Sequence, residues 1–297
     1  MIKRVVEISN PCRLYLEHRQ LIIEQEGEQA GSVPIEDLGA LILDNPQITC
    51  TQRMLRECWE NNVAVVFSDE KHIPGGILLP LAGNTLHSRT LAMQAQIGES
   101  VKKRLWQDII RAKIQAQGFV IKKVVGSETQ LLQYLERVRS GDPENIEGQA
   151  ARIYWNQLFG EDFRRDPTLE GINIWLNYGY ALIRAAVARA ICGSGLHPAL
   201  GVHHHNQYDG FCLADDLMEP LRPMVDRKVF LMIKEDFSPK EFTKEHRHKL
   251  LEILLENLNC EGGSFPLFAA LSKYTADVKR VMEKELKNPS IPKIDIV

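Results

Sequence analysis

No stretch of this 297-residue chain is apolar for long enough to cross a bilayer. Its opening, MIKRVVEISNP, has an acid by position 7 and no apolar run, so no secretory signal is expected there. The six cysteines (Cys12, Cys50, Cys58, Cys192, Cys212, Cys260) include no CxxC pair. That spacing suits neither a disulfide framework nor a zinc ribbon, and buried free thiols in a reducing cytoplasm are the expectation. A strong basic excess is also missing. The net charge of -3 argues against a uniformly basic nucleic-acid binder. Internal repeats and low-complexity tracts are absent as well.

What is present is an ordinary globular composition, 44% hydrophobic and 25% charged, in a chain long enough for two cores. The charge is unevenly spread. Residues 1–86 hold 7 Lys and Arg against 12 Asp and Glu, a balance of -5, whereas 87–297 hold 29 against 27. Within the second part, 87–123 carries 8 basic residues against 2 acidic ones. A basic stripe of this kind is either a phosphate-tracking surface or a solvated helix face, and charge alone favours the latter.

The pattern changes along the chain. RVVEIS, RLYLE, QLIIEQ, LGALIL and VAVVFSD read as strands divided by NP, GEQAGS and DNP turns. One helix interrupts them, TQRMLRECWENN, which Thr51 can cap. HIPGGILLPLAGN reads as a connector, and helical periods follow. LHSRTLAMQAQIGESVKKRLWQDIIRAKIQAQ is expected as one long helix. Helices follow at SETQLLQYLERVRS, from Ser127, and at PENIEGQAARIYWNQLF, with Pro143 in the first turn. GINIWLNYGYALIRAAVARAICGSG, apolar nearly all round, should be the buried central helix. Two more helices fit 240–257 and 264–285. The fold class is therefore α+β in two domains: a small β-sandwich-like domain over 1–78, a linker over 79–88, a larger all-α domain over 89–285 and a flexible tail over 286–297.

The chemistry concentrates in GLHPALGVHHHNQYDGFCLADDLMEPLRP, residues 195–223. Three consecutive histidines precede Asp215, Asp216 and Glu219, and helical spacing puts Asp216 and Glu219 on one face. Acids this close repel one another unless a cation neutralises them. Asp215 is explained as a helix cap. In an extended segment His203 and His205 share one side and His204 faces the other. Two sites are then possible: a zinc chelate of His203 and His205, or a carboxylate site with His204 suited to Mg2+ or Mn2+. Upstream, Glu147 stands among Gly148, Ala150 and Ala151, small enough for close approach, although taken alone a Glu in such a setting is more often a surface carboxylate than a ligand.

GLHPALGVHHHNQYDGFCLADDLMEPLRPMVDR resembles the signature of the CRISPR-associated adaptation integrases, the universal Cas-one family, throughout the chain. DDLMEPLRP is similar to the family's acidic helix start at Asp216 and Glu219. The family histidine, three residues after a glycine, falls on His204 counted from Gly201. EGQAAR matches an upstream phrase at Glu147, and an N-Y-G-Y phrase matches Asn177 to Tyr180. His203 stands where relatives carry an apolar residue. The HHNQ wording and compact length resemble the versions that accompany Cas-nine, type II systems.

The resemblance implies a divalent-metal-dependent DNA integrase, with associated endonuclease activity, that joins prespacer 3′-hydroxyl ends to the CRISPR leader-repeat DNA by transesterification. Glu147, His204 and Glu219 would be catalytic ligands of Mg2+ or Mn2+, with Asp216 binding the metal directly, through water or as an orienting group. Tyr178 would position a strand. Arg89, Lys102, Lys103, Arg104, Arg111, Lys113, Lys122 and Lys123 would track the DNA backbone. Implied partners are double-stranded DNA (prespacer and repeat), a second copy in a homodimer formed by the β domain, and a small ferredoxin-like Cas-two subunit. Cas-nine or another adaptation protein is a further candidate partner, and the compartment is cytoplasmic, with no membrane. Three alternatives stand beside this reading: a structure-selective DNA endonuclease without joining, a zinc hydrolase using His203 and His205, and a non-catalytic DNA scaffold.

Overall fold

A computed structural model describes residues 3–80, 84–127, 129–235 and 242–294, and it has strands first and helices after. The strands are β1 (Arg4–Ile8), β2 (Arg13–Glu17), β3 (Gln20–Gln25), β4 (Glu28–Pro34), β5 (Leu38–Leu43) and β6 (Thr49–Cys50), then β7 (Ala64–Ser68) and β8 (Pro74–Leu78) after helix α1 (Gln52–Glu60). They form two four-stranded sheets, β4-β3-β2-β6 and β1-β5-β7-β8. The β2–β3 hairpin turns on His18 and Arg19, both with positive φ, as a tight two-residue connection requires. Thr51 caps α1 by accepting from the Met54 N–H at 3.4 Å, and Met54 and Cys58 face inward.

The second sheet is parallel where β1, β5 and β7 meet, and it is covered on both faces. The continuous apolar run of β5 follows from that burial. Leu41, Leu43 and Val65 point into the β-rich core with Leu14, Leu21 and Met54. Their alternates Ala40, Ile42, Ala64 and Val66 join the core of the helical part. Each fully buried Leu or Ile here contributes about 1.5–3 kcal/mol. One sheet thus fastens the strand-rich start to the helices.

The helices are α2 (His87–Ala95), α3 (Glu99–Val120), α4 (Ile146–Phe159), α5 (Ile172–Gly193), α6 (Cys212–Met218), α7 (Arg222–Lys234), α8 (Lys244–Leu251) and α9 (Leu267–Met282). Central α5 is buried along nearly its whole length. At Gly179 a Cβ would lie 2.4 Å from Val225 Cγ1, so glycine is what lets α5 and α7 cross closely. All cysteines are free, and among the described residues no helix is long and apolar enough to cross a membrane.

Several sequence expectations change. The long helix expected from residue 85 is two helices, broken before Gly98, which adopts extended backbone at the α3 N-cap. Residues 131–137 wind as a 3-10 segment, and α4 starts at Ile146 rather than Pro143. The linker boundary moves as well: α2 begins at His87, and residues 81–83 lie outside the described ones. The helix expected over 240–257 ends early, giving way to β9 (Asn257–Cys260); β10 (Gly263–Pro266) precedes α9. The expected tail is not loose through residue 294. Leu286 and Ile291 pack on the core, and β11 (Lys293–Ile294) pairs with β9 in a three-stranded sheet, so the helical part is not all-α. Residues 295–297 lie outside the described ones.

Candidate active site

Four elements converge on the acids. Glu147 is in the first turn of α4, a start fixed by two side chains. Asn145, in a left-handed conformation, accepts from the Gly148 N–H at 3.1 Å. Asp142 accepts from the Ile146 and Glu147 N–H groups at 2.9 and 3.0 Å. Glu219 opens the 3-10 turn Glu219–Leu221 between α6 and α7. Lys113, from the middle of α3, reaches between the two acids, its Nζ 2.5 Å from Glu147 Oε1 and 2.5 Å from Glu219 Oε2. Arg222 takes the other Glu219 oxygen at 2.7 Å. Burial alone would raise the Glu219 carboxyl, but Arg222 and Lys113 outweigh it and hold it at about 2. Burial likewise opposes the Lys113 charge, yet Glu219 and Glu147 keep its ammonium above the ordinary lysine range.

Asp216, on α6, faces another way. It is fully buried and accepts four hydrogen bonds: Val202 N–H at 2.7 Å, His203 N–H at 3.0 Å, His204 N–H at 3.2 Å and the His204 ring Nδ1 at 2.6 Å. Its lone pairs are thereby committed to folding the histidine loop. The direct metal contact allowed for Asp216 in the sequence reading is not what this geometry offers; it orients His204 instead. Gly201 makes the wrap possible, since a Cβ there would lie 2.4 Å from the His204 carbonyl oxygen. The hydrogen bond to Asp216 raises the His204 pKa, against the opposing effect of burial. With Nδ1 donating to Asp216, Nε2 remains as the free ring nitrogen, and the side chain is 47% exposed.

The neighbouring histidines differ. His203 stacks flat on buried Trp106, ring centroids 3.9 Å apart, which gives it a packing role that needs no metal. Burial lowers its pKa. His205 is exposed. Asp215 is not the cap of α6, because Phe211 holds the N-cap position; Asp215 sits in the first turn, its carboxyl raised to about 6 by burial and by Asp209.

The N-Y-G-Y phrase separates into four structural tasks. Asn177 accepts from Arg165 at 2.7 Å. Tyr178 is buried away from the acids, against Phe242 and near Glu7, Asp44 and Arg247, and its hydroxyl has no hydrogen-bond partner among the described residues. The structure therefore does not bring Tyr178 together with Glu147, His204 and Glu219, and its ring is turned into the core. Gly179 makes the helix crossing. Tyr180 belongs to a network that the sequence reading missed: it and Tyr154 both donate to buried Asp226, Tyr154 at 2.9 Å, while Arg222 lies over the Tyr180 ring at 4.6 Å. Burial pushes the Asp226 carboxyl up to about 7, although the two tyrosine hydrogen bonds and Arg222 pull the other way.

The basic residues do not form one surface. Lys113 is 8% exposed and ion-paired inside the site, so a role on the DNA backbone is withdrawn for it. Its signal was available: it falls on the apolar face of α3 with Ile109, Ile110 and Ile114, where a charge needs a partner. Lys102 is half-buried and paired with Glu99 at 3.2 Å. Arg89, Lys103, Arg104, Arg111, Lys122 and Lys123 are exposed, with Arg104 and Arg111 on one face of α3.

Two carboxylates bracketing one cationic group, beside an imidazole fixed by a buried aspartate, make up the donor chemistry of a hard divalent-cation site. Lys113 Nζ is the stand-in cation there, which is the observation that the residues fit such an ion. As they stand, no three His, Cys, Asp or Glu among the described residues are grouped closely enough to hold a metal.

This chain belongs to the CRISPR associated protein Cas1 family, whose model matches residues 6–256. It is 36% identical to the CRISPR-associated endonuclease Cas1 of Neisseria meningitidis serogroup C (strain 8013), over 99% of this chain and 97% of that one. Solved structures that share the fold include two similar to nearly the whole chain. One is a casposase bound to integration product, with TM-score 0.79, 18% identity and coverage of 98% of this chain and 93% of that one. The other is a Cas6-RT-Cas1–Cas2 complex, with TM-score 0.74, 17% identity and coverage of 96% of this chain and 35% of that one.

Proposed function

We propose that this protein is a divalent-metal-dependent DNA integrase of CRISPR adaptation, with associated endonuclease activity. It would join prespacer 3′-hydroxyl ends to leader-repeat DNA. The observation that carries the reading is the Glu147–Lys113–Glu219 bracket, whose two carboxylates also act electrostatically on His204. Family membership and the casposase in complex with an integration product support it. A second copy of the chain, a Cas-two subunit and double-stranded DNA are the proposed partners, and Cas1–Cas2 assembly in a structural neighbour supports the second.

Glu147, Glu219 and the free nitrogen of His204 would hold Mg2+ or Mn2+. Such an ion, when bound, supplies Lewis acidity to a phosphoryl oxygen and lowers the pKa of an attacking hydroxyl. The chain's own contribution is placement. Arg222 keeps Glu219 ionised and aimed, and Asp216 fixes the tautomer and plane of His204. Exposed Arg104 and Arg111 would bind backbone phosphates without reading bases.

The test supplies a labelled duplex with 3′-hydroxyl ends, a plasmid bearing leader and repeat, the small partner and Mn2+. A covalent half-site product that disappears with 3′-deoxy ends is expected. Plasmid cleavage with no joined strand would replace integration by a structure-selective endonuclease.

A further inference from the structure

We propose that Lys113 is a built-in counter-cation, which fills the place between Glu147 and Glu219 until a divalent ion displaces it. The protein's affinity for Mg2+ or Mn2+ is then set by competition with its own ammonium group. This inference rests on the proposed metal-binding role of those two acids.

Three features carry it. Lys113 Nζ lies 2.5 Å from an oxygen of each acid, so it stands where a cation shared by both would stand. Its side chain is only 10% exposed, and a buried ammonium is retained only where opposite charge surrounds it. The charges are also already matched: Glu147 and Glu219 face Lys113 and Arg222. A divalent ion held by both acids would take the oxygens that Lys113 Nζ now contacts, so one cationic side chain must withdraw. Arg222 is tied down, with its Nε on Glu219 and its guanidinium over the Tyr180 ring at 4.6 Å. Lys113 is a point charge on an unbranched, flexible stem, and it is the group that moves.

The competition has a use. Without Lys113, two acids this close would repel each other in the empty site. With it, the metal-free protein stays folded, and a divalent ion enters only by replacing a bound cation.

The experiment uses the full chain stripped of metal, with Mn2+ as the probe. Mn2+ binding is titrated calorimetrically on the wild type, Lys113→Met and Lys113→Gln. Removal of the internal cation should tighten Mn2+ binding at least about tenfold, while lowering the metal-free melting temperature. Equal affinity in the wild type and a folded variant would overturn the proposal. A second measurement needs no variant: amine acylation of wild-type Lys113, read by mass spectrometry, should rise when Mn2+ saturates the protein. Unchanged labelling at saturation counts against displacement. If Glu147→Gln and Glu219→Gln leave Mn2+ affinity untouched in both the wild-type and Lys113→Met backgrounds, the metal reading of the acids fails instead.

Discussion

Replacing Asp216 by Asn tests how the histidine loop is held. The change is nearly isosteric, removing one charge and turning one acceptor into a donor. Asp216 Oδ2 accepts from the Val202 and His203 N–H groups, and Oδ1 from the His204 N–H and ring. If the new amide nitrogen takes the Oδ2 place, two buried N–H groups lose their acceptor. If it takes the Oδ1 place, the His204 N–H is orphaned, and the ring must accept at Nδ1 and carry its proton at Nε2. The second arrangement strands fewer donors and should be adopted. One unsatisfied buried donor, together with weaker bonds to a now uncharged acceptor, costs about 2–4 kcal/mol. Urea unfolding of the metal-stripped protein reads that loss, and nitrogen chemical shifts of His204 read the tautomer. The pH dependence has a definite sign. The His204 pKa is raised in the folded state by Asp216, so its contribution is complete below the ordinary value of about 6.5 and disappears as pH rises through the folded value. The gap between wild type and variant should therefore narrow from pH 6 to pH 8. An unchanged urea midpoint with the Nδ1–H tautomer retained would refute the account of the loop.

Other outcomes follow from the same contacts. Gly179→Ala drives a Cβ to within 2.4 Å of Val225 Cγ1 and should cost about 1–3 kcal/mol, recovered in part by Val225→Ala; thermal unfolding of single and double variants checks it. The Asp226 carboxyl, held at about 7 by burial, keeps a proton that the unfolded chain releases near pH 4, so its contribution to stability falls as pH rises between those values. Asp226→Asn should flatten that slope in denaturation curves from pH 4 to pH 7; a slope as steep as the wild type's would exclude Asp226 as its source. Arg104→Ala should weaken duplex binding about equally on all sequences and lower the salt slope by about one, as measured by anisotropy, whereas an unaltered slope would remove it from the DNA surface.

Much of the fold could be read from patterns that local physics enforces. Thr51 before Met54, and the all-round apolar α5, are decided by a single segment and were legible. The C-terminal sheet was not: NLNC and GSFP are too short to show a period, and two-residue β11 is placed by pairing with distant β9 and by burial of Ile294 in the core. Within the site, the phrases around Glu147, His204 and Glu219 pointed to the acids and the imidazole. They could not show that Asp216 turns wholly to the loop, because i,i+3 spacing gives a face and not the partners across it. Tyr178 and Tyr180 look alike in sequence, yet their α5 positions send one toward Phe242 and the other to Asp226. Lys113 was hidden among seven other basic residues until its place on the Ile109–Ile114 face set it apart.

The central claim is that Glu147 and Glu219 form the cation-holding half of a DNA-joining site. Its most direct test is the rate of half-site product formation by Glu219→Gln with Mn2+ and the small partner, set against Tyr178→Phe as a variant outside the site. Glu219→Gln should lose at least about a hundredfold while still binding DNA, and Tyr178→Phe should keep joining near the wild-type rate. Wild-type joining by Glu219→Gln would contradict the account.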